Sequence, residues 1–272
     1  VGFDDHAWSP ALVVDAPKGK LAAQAMHPIR LDRIIEPVAV TESAPGVYLV
    51  DAGQNLTGNA ELALSASAGT KVTLRYGESL GPDGRIDQSD MERFVKHRDP
   101  TQRVQTENYT FKGQGVERWF SRFTYHGFRY VEITGTPDKV TPANIAIRYF
   151  HSAVPLAGEF ESSNGTLNRI WQNGRWSYLG NLFGIPTDCP HREKNGWTAD
   201  AHIACEQGLF YADGITVYQK WITDIADEQF ITGALPGIVP TGGRWGYGFG
   251  SGPAWDSAFL IVPWHLYEYY GD

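Results

Sequence analysis

At 272 residues, with 42% hydrophobic and 13% aromatic side chains, the chain has enough apolar material for two folded domains, and its 30 glycines and 16 prolines require many turns. A formal net charge of -8 with no basic cluster excludes nucleic acid as a partner, and no apolar run approaches the roughly 20 residues of a membrane-spanning helix, so no membrane partner is implied. The only cysteines, Cys189 and Cys205, set no redox compartment and are expected as two buried thiols.

Residues 1–27 read as the tail of a preceding β-domain and a linker, and the opening Val1 fits a mature product or a piece of a longer chain. Within them Ala11-Leu12-Val13-Val14 is strand-like until Pro17, Lys18 and Gly19 break it, and Pro28-Ile29-Arg30 carries the linker into the next unit. A β-domain is expected over 28–152. Its strand signals are Gly46 to Val50, Ala60 to Leu64 after a Gly-Gln-Asn turn at 53–55, Lys71 to Tyr76, Tyr109 to Phe111, Trp119-Phe120, Phe128 to Ile133 and Ile145 to Tyr149. Polar and apolar residues alternate along them, so the expected architecture is an antiparallel β-sandwich. Asp87 to Thr106, rich in charge and poor in apolar residues, reads as a long surface loop.

After Ser152 the period changes, and residues 153–272 read as helical. Glu161-Ser162-Ser163-Asn164 offers caps for a first helix that carries Leu167, Ile170, Trp171, Leu179 and Leu182, runs into Gly184 and stops at Pro186. Thr198 is the expected N-cap of a second helix to Tyr211, with Asp200 in its first turn. A third runs from Ile215 to Glu228 with Tyr218, Trp221, Ile222 and Ile225 as its apolar stripe, and a fourth from Trp255 to Tyr270, bent at Pro263. Between these two, Gly233 to Gly252 is rich in glycine and aromatics but has neither the Gly-Lys-Ser/Thr ending nor the preceding strand of a phosphate loop.

The densest chemistry lies between the first two helices, in Asp188-Cys189-Pro190-His191-Arg192-Glu193 and Gly196-Trp197-Thr198-Ala199-Asp200. Three carboxylates allow one to stay protonated while others stay charged, which glycosidic bond cleavage needs; an indole stacks on a sugar ring, and a guanidinium forks onto hydroxyls or carboxylates. Taken singly, each has a plainer role: Asp200 as an ordinary carboxylate at a helix N-terminus, Glu193 and Asp188 as solvated loop charges, Trp197 and Trp255 as core. Zinc at Cys189, His191, His202 and Cys205 is disfavoured because the spacing fits no standard set, and a Cys189 nucleophile lacks an oxyanion donor cluster.

In order, spacing and residue type this motif resembles the signature of the bacterial α-L-rhamnosidases of glycoside hydrolase family 78, and residues 51–55 with 123–130 resemble the concanavalin-like sandwich that precedes their catalytic domain. The resemblance implies that 153–272 is the first part of an (α/α)6 toroid belonging to a longer polypeptide. It implies Glu193 as general acid, Asp188 and Asp200 on the sugar hydroxyls, and Arg192, Trp197 and Trp255 in the pocket for a non-reducing-end rhamnose. The implied reaction inverts the anomeric centre and needs no cofactor and no metal; its substrate is a rhamnose-containing oligosaccharide, polysaccharide or glycoside. Burial beside Trp197 and repulsion from Asp188 or Asp200 are expected to raise the acid's pKa. The base in the family is a glutamate further along the toroid, beyond Asp272, and Glu206 and Glu228 lie in the wrong helices for it. Trp255 is followed by Asp256-Ser257-Ala258 where the family often has Gly-Asp-Ala, and Ala199 stands where it often has Gly. Trp245 and Tyr247 are candidates for an outer subsite. The rival readings are a non-catalytic carbohydrate-binding protein and a toroidal glycosidase acting on a different sugar.

Overall fold

A computed structural model describes residues 4–92, 104–242, 245–249 and 252–272. The first half is one curled antiparallel sheet. Its strands are β1 (Ile29–Ile35), β2 (Ala39–Ala44), β3 (Val47–Ser65), β4 (Lys71–Gly77), β7 (Thr106–Thr110), β8 (Val116–Trp119), β9 (His126–Thr134) and β10 (Ile145–Ser152), with β5 (Ser79–Leu80) and β6 (Ile86–Asp87) forming a small ladder beside them. The order is β1-β10-β3-β9-β4-β7, with β2 and β8 also pairing to β3. Alternation places Val72, Leu74 and Tyr76 of β4, Val131 and Ile133 of β9, and Ile145, Ile147 and Tyr149 of β10 in one core.

β3 is the spine of this sheet and differs from the expected pair of strands. The Gly-Gln-Asn segment at 53–55 does not reverse the chain: Asp51 faces Tyr130 and Leu56 faces Phe128 on the same partner strand, so β3 bulges outward between them. Gly53, at φ +84°, supplies the left-handed backbone, and Arg129 forks onto Asp51 with both bonds at 2.9 Å, holding that carboxyl below its usual range. Beyond the bulge β3 turns to β10 and β8, and this curls the sheet.

Three further expectations are corrected. Ala11 to Val14 forms no strand and lies exposed, because nothing within the described residues pairs with it. Ile29 and Arg30 are not linker but the start of β1, paired antiparallel with β10 from Ile29 opposite Ser152 onward. The stretch after Asp87 is not all surface loop: Gln88 is buried, its amide donating to the Tyr76 carbonyl at 2.8 Å, and Met91 is buried on the short α1 (Ser89–Glu92). Residues 93–103 of that stretch lie outside the described residues.

The second half is helical: α2 (Gly165–Gly180), α3 (Thr198–Tyr211), α4 (Ile215–Asp227), α5 (Pro253–Asp256) and α6 (Ala258–Tyr270). The Asn164 side chain caps α2, accepting from the amides of Thr166 at 2.9 Å and Leu167 at 3.3 Å. The helix stops at Gly180, short of Gly184, because the chain turns at Asn181 and Leu182 bridges back to Pro186. α3 begins one residue earlier than expected, with Trp197 at the N-cap position and Thr198 already helical, its hydroxyl donating to the Gly237 carbonyl at 3.3 Å. The helix expected over Trp255 to Tyr270 is interrupted at Ser257, where α5 ends, and α6 runs through Pro263 to a left-handed Gly271. Cys205 and Leu209 of α3, Tyr218, Trp221 and Ile225 of α4, and Val262 and Leu266 of α6 form the helical core.

Candidate active site

The motif loop is a closed turn that the sequence ties to itself. The Asp188 amide donates to the Asn195 carbonyl and the Asn195 amide to Asp188 Oδ1, both at 2.9 Å. Cys189 Sγ donates to Asp188 Oδ2 at 2.8 Å and accepts from the Glu193 amide at 3.2 Å. Cys189 is therefore a brace. Burial and the neighbouring Asp188 push its thiol up, opposite to the shift a nucleophile needs. Both cysteines are free; Cys189 is half-buried and Cys205 fully buried, its thiol pushed up to about 12 by burial. Among the described residues no group of three or more His, Cys, Asp or Glu side chains is placed to hold a metal.

This turn projects Glu193 onto Trp197. The indole Nε1 donates to Glu193 Oε2 at 2.8 Å, and Arg192 Nε stands 3.8 Å from Oε1. Because the indole can only donate, it fixes Oε2 as an acceptor and leaves Oε1 as the oxygen that can carry a proton. Asp200, in the first turn of α3, joins the same field: its carboxyl is pushed up first by burial and then by the negative charges of Asp188 and Glu193. The charges of Asp188 and Glu193 thus act on Asp200, and Glu193 is held by Trp197 with Arg192 beside it.

The sign of that shift gives an expected result. A carboxyl whose folded-state pKa is raised costs stability above that pKa, and the cost vanishes as pH falls below the unfolded value of 3.8. Asp200→Asn should raise the melting temperature at pH 7 and lose the advantage near pH 3. Thermal unfolding at both pH values checks this, and a lower melting temperature at pH 7 would contradict it.

Aromatic residues wall the cluster. Trp197 meets Trp245, Phe249 and Trp255 edge-on, at centroid distances of 6.0, 5.7 and 6.3 Å. Trp255 Nε1 and Asp256 Oδ1 are buried with no hydrogen-bond partner among the described residues, a feature of polar groups that face a ligand or water. The Tyr247 hydroxyl donates to Glu228, and its ring lies edge-on to Phe230 at 4.6 Å. Phe249 stands beside Trp197. Neither Phe249 nor Asp256 was among the site residues expected from the sequence; Phe249 stood out only as an aromatic of the glycine-rich loop, and Asp256 only as the residue after Trp255. Glu206 accepts from Tyr269 at 3.0 Å, and Glu228 is engaged by Thr241 and Tyr247, so neither joins the cluster.

The other side of the turn docks on the sheet. At Gly127 an added Cβ would fall 2.7 Å from Pro190 Cγ and 3.0 Å from the His191 nitrogen, so the absence of a side chain there lets the loop seat. His191 lies 3.9 Å from Glu78 and 3.7 Å from Asp90. Two cavities of about 820 and 800 Å³ flank this seam, the first lined by Tyr125, Phe183 and Lys194 and the second by Asn55, Trp176 and His191. Glu193, Trp197 and Asp200 line neither cavity, and the Glu193 side chain is 33% exposed.

Comparison with known proteins gives one answer for both halves. Residues 41–151 match the bacterial alpha-L-rhamnosidase concanavalin-like domain, and residues 155–272 match the bacterial alpha-L-rhamnosidase 6 hairpin glycosidase domain. An alpha-L-rhamnosidase of Streptomyces avermitilis is 37% identical over all of this chain, which spans 25% of that protein. Among solved structures, the alpha-L-rhamnosidase of Dictyoglumus thermophilum is 38% identical with a TM-score of 0.88, over 100% of this chain and 30% of that one. The Streptomyces avermitilis alpha-L-rhamnosidase complexed with L-rhamnose is 36% identical with a TM-score of 0.84, over 100% of this chain and 25% of that one. The chain therefore spans about a quarter of the length of the curated relatives it matches. With both domains matched, in the same order and at these identities, the chain belongs to the bacterial α-L-rhamnosidases of glycoside hydrolase family 78.

Proposed function

We propose that this chain forms part of a glycoside hydrolase that releases terminal non-reducing α-L-rhamnose with inversion, and that Glu193 is its general acid. The observation that carries the reading is the Glu193 carboxyl held by the Trp197 N–H within the field of Asp188 and Asp200. Oε1 of Glu193 delivers a proton to the glycosidic oxygen as the bond to the anomeric carbon breaks. Asp188 and Asp200 accept from sugar hydroxyls; Asp188 already takes one bond on each oxygen and keeps lone pairs on both. Arg192 donates to the sugar, and the Trp197 and Trp255 rings shape the apolar wall against its C–H face.

Inversion needs a second carboxylate on the opposite face, about 6.5–9.5 Å from the acid, to activate water. The family resemblance assigns it to a glutamate beyond Asp272, so a purified 1–272 polypeptide is expected to give no turnover. Activity of the complete gene product on a panel of aryl glycosides tests the proposal, with the anomer first released followed by NMR. Turnover of α-L-rhamnosides alone, releasing the β-anomer first, agrees with it; turnover of another sugar, or binding without turnover, sinks it.

A further inference from the structure

Lys194 follows the acid directly and is half-buried, yet the proposed chemistry does not use it. Its Nζ donates to the Tyr125 backbone carbonyl at 2.5 Å and lies 4.3 Å from the centre of the Tyr125 ring. That ring is in turn stacked on Phe183 at 3.7 Å with only 6° between the planes. Behind it the ammonium feels the charge of Glu107, a buried carboxylate paired with His126 at 2.8 Å and accepting from Tyr76 at 2.9 Å. Burial brings the Lys194 ammonium down to about 8. The hydrogen bond and the ring contact of this ammonium both come from the sheet domain, through Tyr125.

The backbone at Lys194 gives the reason. Its φ of +57° is the left-handed region, which a residue with a side chain keeps only where its surroundings hold it. Two contacts hold it: the Lys194 amide on the Cys189 carbonyl at 3.1 Å, and the side chain on Tyr125. The residue immediately before it is Glu193, whose carboxyl must reach Trp197 and a glycosidic oxygen together.

We propose that Lys194 is a positioning residue for Glu193, and that through it the concanavalin-like domain sets the geometry of the acid. The proposal rests on Glu193 being that acid. Its test compares two α-L-rhamnosides in the complete gene product: a 2,4-dinitrophenyl glycoside, whose leaving group departs without a proton, and a methyl glycoside, whose leaving group needs one. Lys194→Met should lower kcat on the methyl glycoside by about 100-fold, the scale of an ångström's misplacement, and on the dinitrophenyl glycoside by less than about 3-fold, with KM little changed. Lys194→Arg, which keeps a cation over the ring, should recover part of the lost rate.

An equal loss on both glycosides, or no loss, overturns the proposal while leaving Glu193 in place. Glu193→Gln is measured alongside, and a loss there that ignores the leaving group overturns the acid assignment itself, so the two failures are told apart. If Lys194→Met does not accumulate folded, Tyr125→Leu strips the ring from the ammonium and leaves the carbonyl. A loss confined to the methyl glycoside then supports the proposal, and an equal loss overturns it.

Discussion

Glu193→Gln in the complete gene product should lower kcat on an alkyl α-L-rhamnoside by about 10²–10⁴-fold, the usual weight of a general acid, and leave the melting temperature within a degree or two. The fold keeps its contacts because glutamine matches glutamate in shape. Its carbonyl oxygen can take the place of Oε2 and accept the Trp197 N–H at 2.8 Å, which turns the amide nitrogen to the position of Oε1. An amide there can donate a hydrogen bond but cannot give up its proton at neutral pH, so binding survives and protonation of the leaving group does not. The expected signature is a kcat loss with KM nearly unchanged. Unchanged turnover on an ordinary alkyl rhamnoside would remove Glu193 from the chemistry.

The residues proposed to act through their own side chains could be read from the sequence. Asp188, Arg192, Glu193, Trp197 and Asp200 stand at motif spacing, and the structure gathers them into one cluster. The residues that act through a partner could not. Lys194 sits between a glutamate and an asparagine, as a solvated lysine would, and only the approach of Tyr125, from the loop that leads into β9, makes it an anchor. Cys189 reads as an isolated thiol until Asp188 and Glu193 close around it.

The fold divides in the same way. Alternation in β4 and β10 and the apolar stripe of α4 are local and were readable, because each element needs one buried face. β3 was not, since Gly53-Gln54-Asn55 has the composition of a turn and only pairing of both halves with β9 turns it into a bulge. β1 was hidden for a related reason. Pro28 reads as linker, and the strand that pairs with β1 is the last one of the sheet.

Gly196→Ala should be the most damaging conservative change in the motif, costing at least about 1–3 kcal/mol of stability through overpacking and about 100-fold in rate through displacement of the acid cluster. A Cβ on Gly196 would fall 1.9 Å from the Val239 carbonyl oxygen and 3.2 Å from Ile185 Cδ1. The oxygen cannot simply withdraw, because it accepts from the Trp221 indole at 3.1 Å, and Trp221 is wholly buried in the helical core. Nor can the motif strand move without cost. The Gly196 carbonyl accepts from the Val239 amide at 2.8 Å, Trp197 bridges Ile238, and the Thr198 amide donates to Gly237 at 2.9 Å, so the strand that seats Trp197 is laced to the segment it would have to leave. Whatever Trp197 loses, Glu193 loses with it, since one hydrogen bond joins them. Gly165→Ala is the control: it opens α2 with nothing within 4 Å of its added Cβ, so it should leave the rate unchanged and stabilise the helix by up to about 1 kcal/mol. Urea titrations and rhamnoside kinetics on the two variants decide the matter. If Gly196→Ala behaves like Gly165→Ala, the close approach of Gly196 to Val239 does not hold the site together.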